Sequence, residues 1–194
     1  MTRFPIPLLL VLAVSGCVAP IPAVEVTRFH TGQASYQGLM VIRAAEGLNA
    51  ESLEFRTYAM AVTKEMASVG LIDSQSATSP WVAEIAYTRG TLTERAKPSP
   101  VSIGIGGGTS SGGVGIGVGT SFPLGGGGTR ETVITRLSVR LLSRLDGKPV
   151  WEGRAETQAP ASAPASQPGL AAAKLASALF TGFPGKSGET ITVK

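Results

Sequence analysis

Three places in this sequence combine residue types that can do chemistry. Gly185-Lys186-Ser187 looks like the end of a phosphate-gripping loop, the tract 104–128 has glycine at thirteen of twenty-five positions, and His30 is the one histidine. The first two lose their phosphate chemistry on spacing or context. A Walker loop needs a glycine five residues before Gly185, where Phe180 stands, and a strand-loop-helix setting. Gly112-Gly113-Val114-Gly115-Ile116-Gly117 contains GxGxxG-like fragments. A dinucleotide loop, however, must open a helix whose N-terminal amides meet the pyrophosphate. Residues from Thr129 onward are β-patterned instead, with Thr132, Val133 and Ile134.

Nucleophilic and metal chemistry meet similar obstacles. A Ser-His-acid site would have to be built around His30, and a histidine in a strand region reads first as a hydrogen-bonded structural residue. Zinc needs three or four Cys, His or acidic ligands, and one cysteine with one histidine does not supply them. No EF-hand spacing marks a calcium loop. Paired carboxylates and serine-lysine pairs survive the residue count without a motif. Arg136, Arg140 and Arg144 form a basic stripe, read as a solvated face balanced by Glu152 and Glu156 in preference to a headgroup or glycan site. The formal charge of +4, from 17 Lys and Arg against 13 Asp and Glu, is too mixed for a nucleic-acid footprint. No catalytic residue, cofactor site or metal site is expected, and no nucleic-acid partner.

The N-terminus carries the clearest signal. MTRFPIPLLLVLAVSGC has a basic residue at Arg3, an apolar run from Ile6 to Val14 and then small residues, the layout of a secretory leader. Val14-Ser15-Gly16-Cys17 resembles a bacterial lipobox. That resemblance implies cleavage after Gly16, a diacylglycerol on the Cys17 sulfur and an acyl chain on the new amino group, more than one chain being needed for a durable hold. Cys17 is the sole cysteine, so it has no internal disulfide partner. Residue 18 is Val rather than the aspartate that marks inner-membrane retention in enterobacterial lipoproteins, which favours the outer membrane. Residues 1–16 are thus expected as signal peptide, 17–23 as a lipidated tether stiffened by Pro20 and Pro22, and 24–194 as one domain.

Within that domain, Val24–Phe29 and Leu39–Ala44 read as strands. Asn49 is positioned to cap a helix over 50–69, with Glu51 in its first turn. Phe55, Ala59, Val62, Met66 and Val69 form its apolar stripe, and Gly70 ends it. Trp81–Glu94 reads as a strand with Trp81, Ala83, Ile85 and Tyr87 on one face. The period-two rhythm of Val114-Gly115-Ile116-Gly117-Val118-Gly119 predicts a glycine-faced β-hairpin within 104–128. Residues 159–169, APASAPASQPG, read as a low-complexity loop. Leu170–Phe180 reads as a second helix and Glu189–Val193 as a last strand.

The segment 132–153 allows its pairing register to be argued. Leu137, Val139 and Leu141 share one face, and Arg136 and Arg140 the other. After the turn, Trp151, Gly153 and Ala155 oppose Glu152 and Glu156 in the same way. A three-residue loop, Leu145-Asp146-Gly147 with Gly147 left-handed, keeps the faces together, whereas a two-residue Asp146-Gly147 loop mixes them. Leu141 should then face Trp151, Leu137 face Ala155, Arg140 face Glu152 and Arg136 face Glu156. The whole predicts an α+β fold: a mostly antiparallel sheet, two helices packed on one face, and the glycine-rich hairpin.

Taken together, the lipobox, Ser52–Ala59 leading to Val69-Gly70-Leu71, Asp146–Gly153 and Leu179-Phe180 to Phe183-Pro184-Gly185 resemble the bacterial envelope lipoproteins of the family called domain of unknown function forty-one thirty-six. The resemblance implies a compact domain tethered to the periplasmic side of a membrane, with no catalytic residues to carry over. The functional expectation is a non-enzymatic lipoprotein that holds the membrane through Cys17 and meets an envelope protein partner. The alternative is a carrier for a small apolar ligand or lipid. Replacing Cys17 with Ser should leave an unprocessed precursor and abolish acyl labelling in cells fed radioactive palmitate; continued labelling of that variant would defeat the anchor.

Overall fold

The computed structural model describes residues 22–32, 35–74, 76–95 and 129–194. The signal peptide expected at 1–16, Cys17 with the expected tether to residue 21, and the hairpin expected at 104–128 lie outside the described residues. Among the described residues, seven strands form one sheet: β1 (Val24–His30), β2 (Gly38–Ala44), β3 (Leu71–Asp73), β4 (Trp81–Arg95), β5 (Thr129–Ser143), β6 (Pro149–Pro160) and β7 (Thr190–Val193). Two helices accompany them, α1 (Leu53–Ser68) and α2 (Pro168–Phe180). Across the sheet the order is β3-β2-β4-β5-β6-β1-β7. The class is α+β as expected, but the sheet is mixed: β2 runs parallel to both β3 and β4, and the remaining neighbours are antiparallel.

Alternation decides which face is covered. Val24 and Val26 of β1, Ala83 and Ile85 of β4, Leu137, Val139 and Leu141 of β5, and Trp151 and Ala155 of β6 are all buried. They form one core with Phe55, Tyr58, Val62 and Met66 of α1 and Leu175, Leu179 and Phe180 of α2. Both helices therefore cover the same face, and α1 packs directly on α2. The other face, with Arg136, Arg140 and Arg154, stays open to solvent.

Helix α1 starts later than its Asn49 signal implied. Asn49 Oδ1 accepts from the Glu51 N–H at 2.9 Å, closing a turn ahead of the helix. The cap is Ser52, whose Oγ accepts from the Phe55 N–H at 3.0 Å. The acidic residue of the first turn is consequently Glu54, not Glu51. At the other end Val69 is the cap, and Gly70, at φ +90°, turns the chain straight into β3. This three-residue strand is too short for a periodic signal, and it went unpredicted.

The β5–β6 register holds as argued: Leu141 faces Trp151, Arg140 faces Glu152, Leu137 faces Ala155 and Arg136 faces Glu156. The turn that delivers it differs. The Ser143 N–H donates to the Lys148 carbonyl at 2.9 Å, so Arg144 to Gly147 make a four-residue loop, with Gly147 at φ +70°. A bulge between Leu141 and Leu142 absorbs the extra residue by setting Leu142 opposite Pro149. The bulge lets adjacent residues bury together, Leu141 with Leu142 and Val150 with Trp151. Residues 159–169 are also more regular than a low-complexity loop. β6 continues to Pro160, Pro164–Ser166 form a 3₁₀ turn, and Pro168 begins α2, where proline loses no hydrogen bond.

Gly153 shows how tightly β6 meets α2. A Cβ placed there would collide with the Trp151 ring and stand 2.7 Å from Leu179 Cδ1. Gly153→Ala should cost roughly 1–3 kcal/mol by overpacking, read as a lower urea midpoint with the slope unchanged. An unaltered midpoint would show that the ring moves aside freely.

Candidate functional site

The histidine and the Gly185-Lys186-Ser187 turn come together, but as architecture. The His30 N–H donates to Ser187 Oγ at 3.0 Å, so this serine meets the backbone of His30 rather than its imidazole. His30 Nδ1 accepts from the Gly32 N–H at 3.1 Å. Nε2, 3.2 Å from the Gly185 carbonyl, must then carry the proton, which makes the neutral Nε2–H tautomer the one that satisfies both contacts. Among the described residues no group of three or more His, Cys, Asp or Glu side chains is arranged to hold a metal ion.

The same turn packs on Arg28, a residue the sequence reading passed over. Arg28 lies on the buried face of β1 and is 5% exposed. Its Nε donates to the Leu179 carbonyl at 2.9 Å, and Nη2 to the carbonyls of Ala178 at 3.0 Å and Thr181 at 2.8 Å. These groups end α2, where backbone acceptors lack helical partners and the dipole is negative. Burial pulls the guanidinium pKa down from its ordinary range. Gly185, at φ +81°, brings its backbone so close that a Cβ would sit 2.6 Å from Arg28 Nη1. Beside it, Trp151 stacks on Phe180 and tilts against Phe183, with ring centroids 5.5 and 5.1 Å apart. The Trp151 Nε1–H donates to the Pro184 carbonyl at 3.0 Å. Asp146–Gly153 and Leu179–Gly185 thus form one aromatic corner. A detectable sign of Arg28 lay in VEVTRFH, where the arginine falls on the same parity as Val24 and Val26.

On the open face the expected charge pairs form and extend further. Arg140 Nε bonds Glu152 at 3.0 Å, its Nη1 bonds Glu84 at 3.0 Å, and Arg43 reaches Glu84 at 2.8 Å. The row Arg43–Glu84–Arg140–Glu152 therefore crosses β2, β4, β5 and β6, with Arg136–Glu156 beside it. Glu84 was not foreseen, because it joins through the β4–β5 pairing of segments far apart in the chain. Arg144 leaves the stripe: it donates to the carbonyls of Ala77 and Ser76, pinning the segment before β4.

Two further features lie on the helix side. A groove of about 490 Å³ runs between α1 and the β2–β3 edge, lined by Ile42, Ala59, Met60, Arg56, Lys64 and Asp73. Deeper, Tyr58 is fully buried and stacked on Tyr87, with centroids 4.3 Å apart and planes within 9°. Its hydroxyl has no hydrogen-bond partner among the described residues. Burial, with a smaller contribution from Glu54, pushes the phenol up to about 12.

No family model matches the chain. A stretch of 75 residues is 44% identical to an uncharacterized protein of Zymomonas mobilis, covering 38% of this chain and 28% of that protein's length. Among solved structures, a PDZ domain protein from Parabacteroides distasonis superposes with a TM-score of 0.51 at 12% identity, over 89% of this chain and 39% of that one. A PelC dodecamer from Paraburkholderia phytofirmans gives 0.44 at 12% identity, over 81% and 95% of the two chains. Likenesses at such identity concern the fold alone.

Tyr58 yields a pH prediction with a definite sign. An unfolded tyrosine ionises near about 10, whereas Tyr58 in the fold holds its proton to about 12. The native state then binds more protons than the unfolded state between these values. Stability should fall as pH rises through that window, by roughly 2 kcal/mol in total. Urea titrations at pH 9 and 11.5 should show this loss, and Tyr58→Phe should remove that part of it while changing neutral-pH stability little. An identical loss in the variant would assign it to other groups.

Proposed function

We propose that this chain is a lipid-anchored protein of the bacterial envelope that works by binding another envelope component rather than by catalysis. The observation that carries the reading is the leader ending in Val14-Ser15-Gly16-Cys17, whose lone cysteine stands seven residues before β1 begins at Val24. The anchor is on the outer membrane, the sorting that Val18 after the cysteine favours, and the domain faces the periplasm, as the resemblance to envelope lipoproteins implies. The surroundings of the reactive residue types support a non-catalytic role: His30 and Ser187 close a turn, and Arg43, Glu84, Arg140 and Glu152 neutralise one another.

The uncovered sheet face is the surface best suited to a protein partner. It is broad, polar and held in shape by the ion row. A carrier for an apolar ligand is the second reading, favoured by the groove beside α1. Its volume of about 490 Å³ falls in the range of small-molecule sites. That groove opens at the surface, whereas the core between the helices and the sheet is filled by side chains that are fully buried, which weighs toward the binding role.

A photoreactive residue at Ser138, in the middle of the open face, should give a discrete cross-linked product in intact envelopes. The same probe on a Cys17→Ser chain should not. Equal yields from both chains, or no product from either, would count against an anchored partner-binding role.

A further inference from the structure

The outer edge of β2 is only half covered. β3 pairs with Gly38, Leu39 and Met40 and stops at Asp73, while β2 runs on to Ala44. The Gly38 N–H donates to the Gly70 carbonyl at 2.9 Å, and the Met40 carbonyl accepts from the Ser74 N–H at 2.8 Å, both on the β3 side. The Ala45 N–H donates to the Ile85 carbonyl on the β4 side at 2.9 Å. Backbone groups of a strand alternate sides with period two. Ile42 and Ala44 therefore aim theirs outward, where no strand lies beside them among the described residues. The chain that leaves β3 turns away, because the carbonyls of Ser76 and Ala77 are held by Arg144 beyond the end of β5.

This unpaired run borders the groove of about 490 Å³ beside α1. Ile42 shares the helix side of the sheet with Met40 and lines the groove with Ala59 and the largely exposed Met60. Arg56 and Lys64 mark its length, which is about 12 Å along the helix axis. That distance takes three or four residues of extended chain at about 3.3 Å each, matching the uncovered residues 41–44. An occupant must answer both N–H donors and carbonyl acceptors. A fatty-acid carboxylate accepts without donating and its tail does neither, whereas a second extended backbone does both. Register then fixes the side chains. A residue opposite Ile42 points into the groove, and its neighbour faces Arg43 on the open side of the sheet. The row Arg43–Glu84–Arg140–Glu152 alternates in sign, and its outer end is this arginine. Opposite charges on adjacent strands attract, so an acid suits the position beside Arg43. β4 presents the same pattern on the other flank of β2, with Ala83 opposite Ile42, Glu84 opposite Arg43 and Ile85 opposite Ala44.

We infer that the groove between β2 and α1 is a strand-addition site, which takes an extended apolar–acidic–apolar segment of a partner protein beside Ile42, Arg43 and Ala44. It assigns the groove to a peptide rather than to the apolar small ligand of the carrier reading. This surface is separate from the open sheet face and does not depend on the lipid anchor.

The test uses the full chain as cells process it, in lipid nanodiscs, with a fluorescein-labelled peptide, Thr-Ser-Val-Glu-Val-Ser-Thr, followed by anisotropy. Two further peptides carry N-methyl groups on alternate amides, in opposite phases. One phase blocks the bonds to Ile42 and Ala44 and should weaken binding by roughly ten-fold or more. The other methylates only amides that face away from β2 and should bind within about two-fold of the parent. Replacing the peptide's glutamate with lysine should weaken binding several-fold, and Arg43→Glu should invert that preference. Phase-independent binding, or no binding of the parent peptide at millimolar concentration, would overturn strand addition. Failure of Arg43→Glu to invert the charge preference would overturn the placement beside β2. Phase-independent binding that oleate displaces would give the groove to a lipid instead.

Discussion

The end of α2 sets the terms for this fold. Carbonyl oxygens of Ala178, Leu179 and Thr181 have no further helical turn to satisfy them, and the Arg28 guanidinium reaches across from β1 to all three. An unmade hydrogen bond to a buried carbonyl costs about 1–3 kcal/mol, so this junction leaves little room for the helix to slide on the sheet. With the helix end in place, Phe180 meets Trp151, and Trp151 leaves no space for any side chain at position 153. Gly185 closes over the guanidinium, and the Gly188 N–H bonds the Arg28 carbonyl at 2.8 Å before β7 joins β1. A charge inside the protein thereby organises the last helix, the aromatic corner and the final strand.

The opposite face of the sheet follows another logic. Its ion pairs are partly exposed, and exposed pairs contribute about 0.2–1 kcal/mol each. Their contribution to net stability is accordingly small. What the row Arg43–Glu84–Arg140–Glu152 supplies is a face that is charged yet locally balanced. Glu84 is central because it accepts from an arginine on either side, and its side chain is the least exposed of the four at 14%.

How much of this was legible depends on the range of the interaction. Alternation in β5 and β6 was enough for their register, because a slip of one residue would have put Arg140 against Gly153 and Trp151 out of the core. The bulge was not legible: it answers to two adjacent pairs, Leu141 with Leu142 and Val150 with Trp151, that each bury. Helix α1 was found from its stripe, yet Asn49 and Ser52 are both able to cap, and only the three-dimensional path chooses Ser52. β3 rests on pairing with β2 across the helix, with too few residues to show a rhythm. Around the aromatic corner, Asp146–Gly153 and Leu179–Gly185 were visible as separate motifs. That they meet depends on Trp151 reaching Phe180, Phe183 and Pro184 about thirty residues on, and that Arg28 joins them depends on contacts between residues 150 or more positions apart.

β1 also has a mechanical meaning. It lies between two strands, with seven residue pairs to β6 and four to β7, and the preceding chain joins it at Val24. Tension applied through residue 23 is therefore directed along β1, loading the rungs on both sides in shear and together rather than peeling them one at a time. Arg28, further along the same strand, shares that load with α2 through its three carbonyl contacts. The strand that would receive such a pull is thus bonded on both flanks and tied to a helix from above.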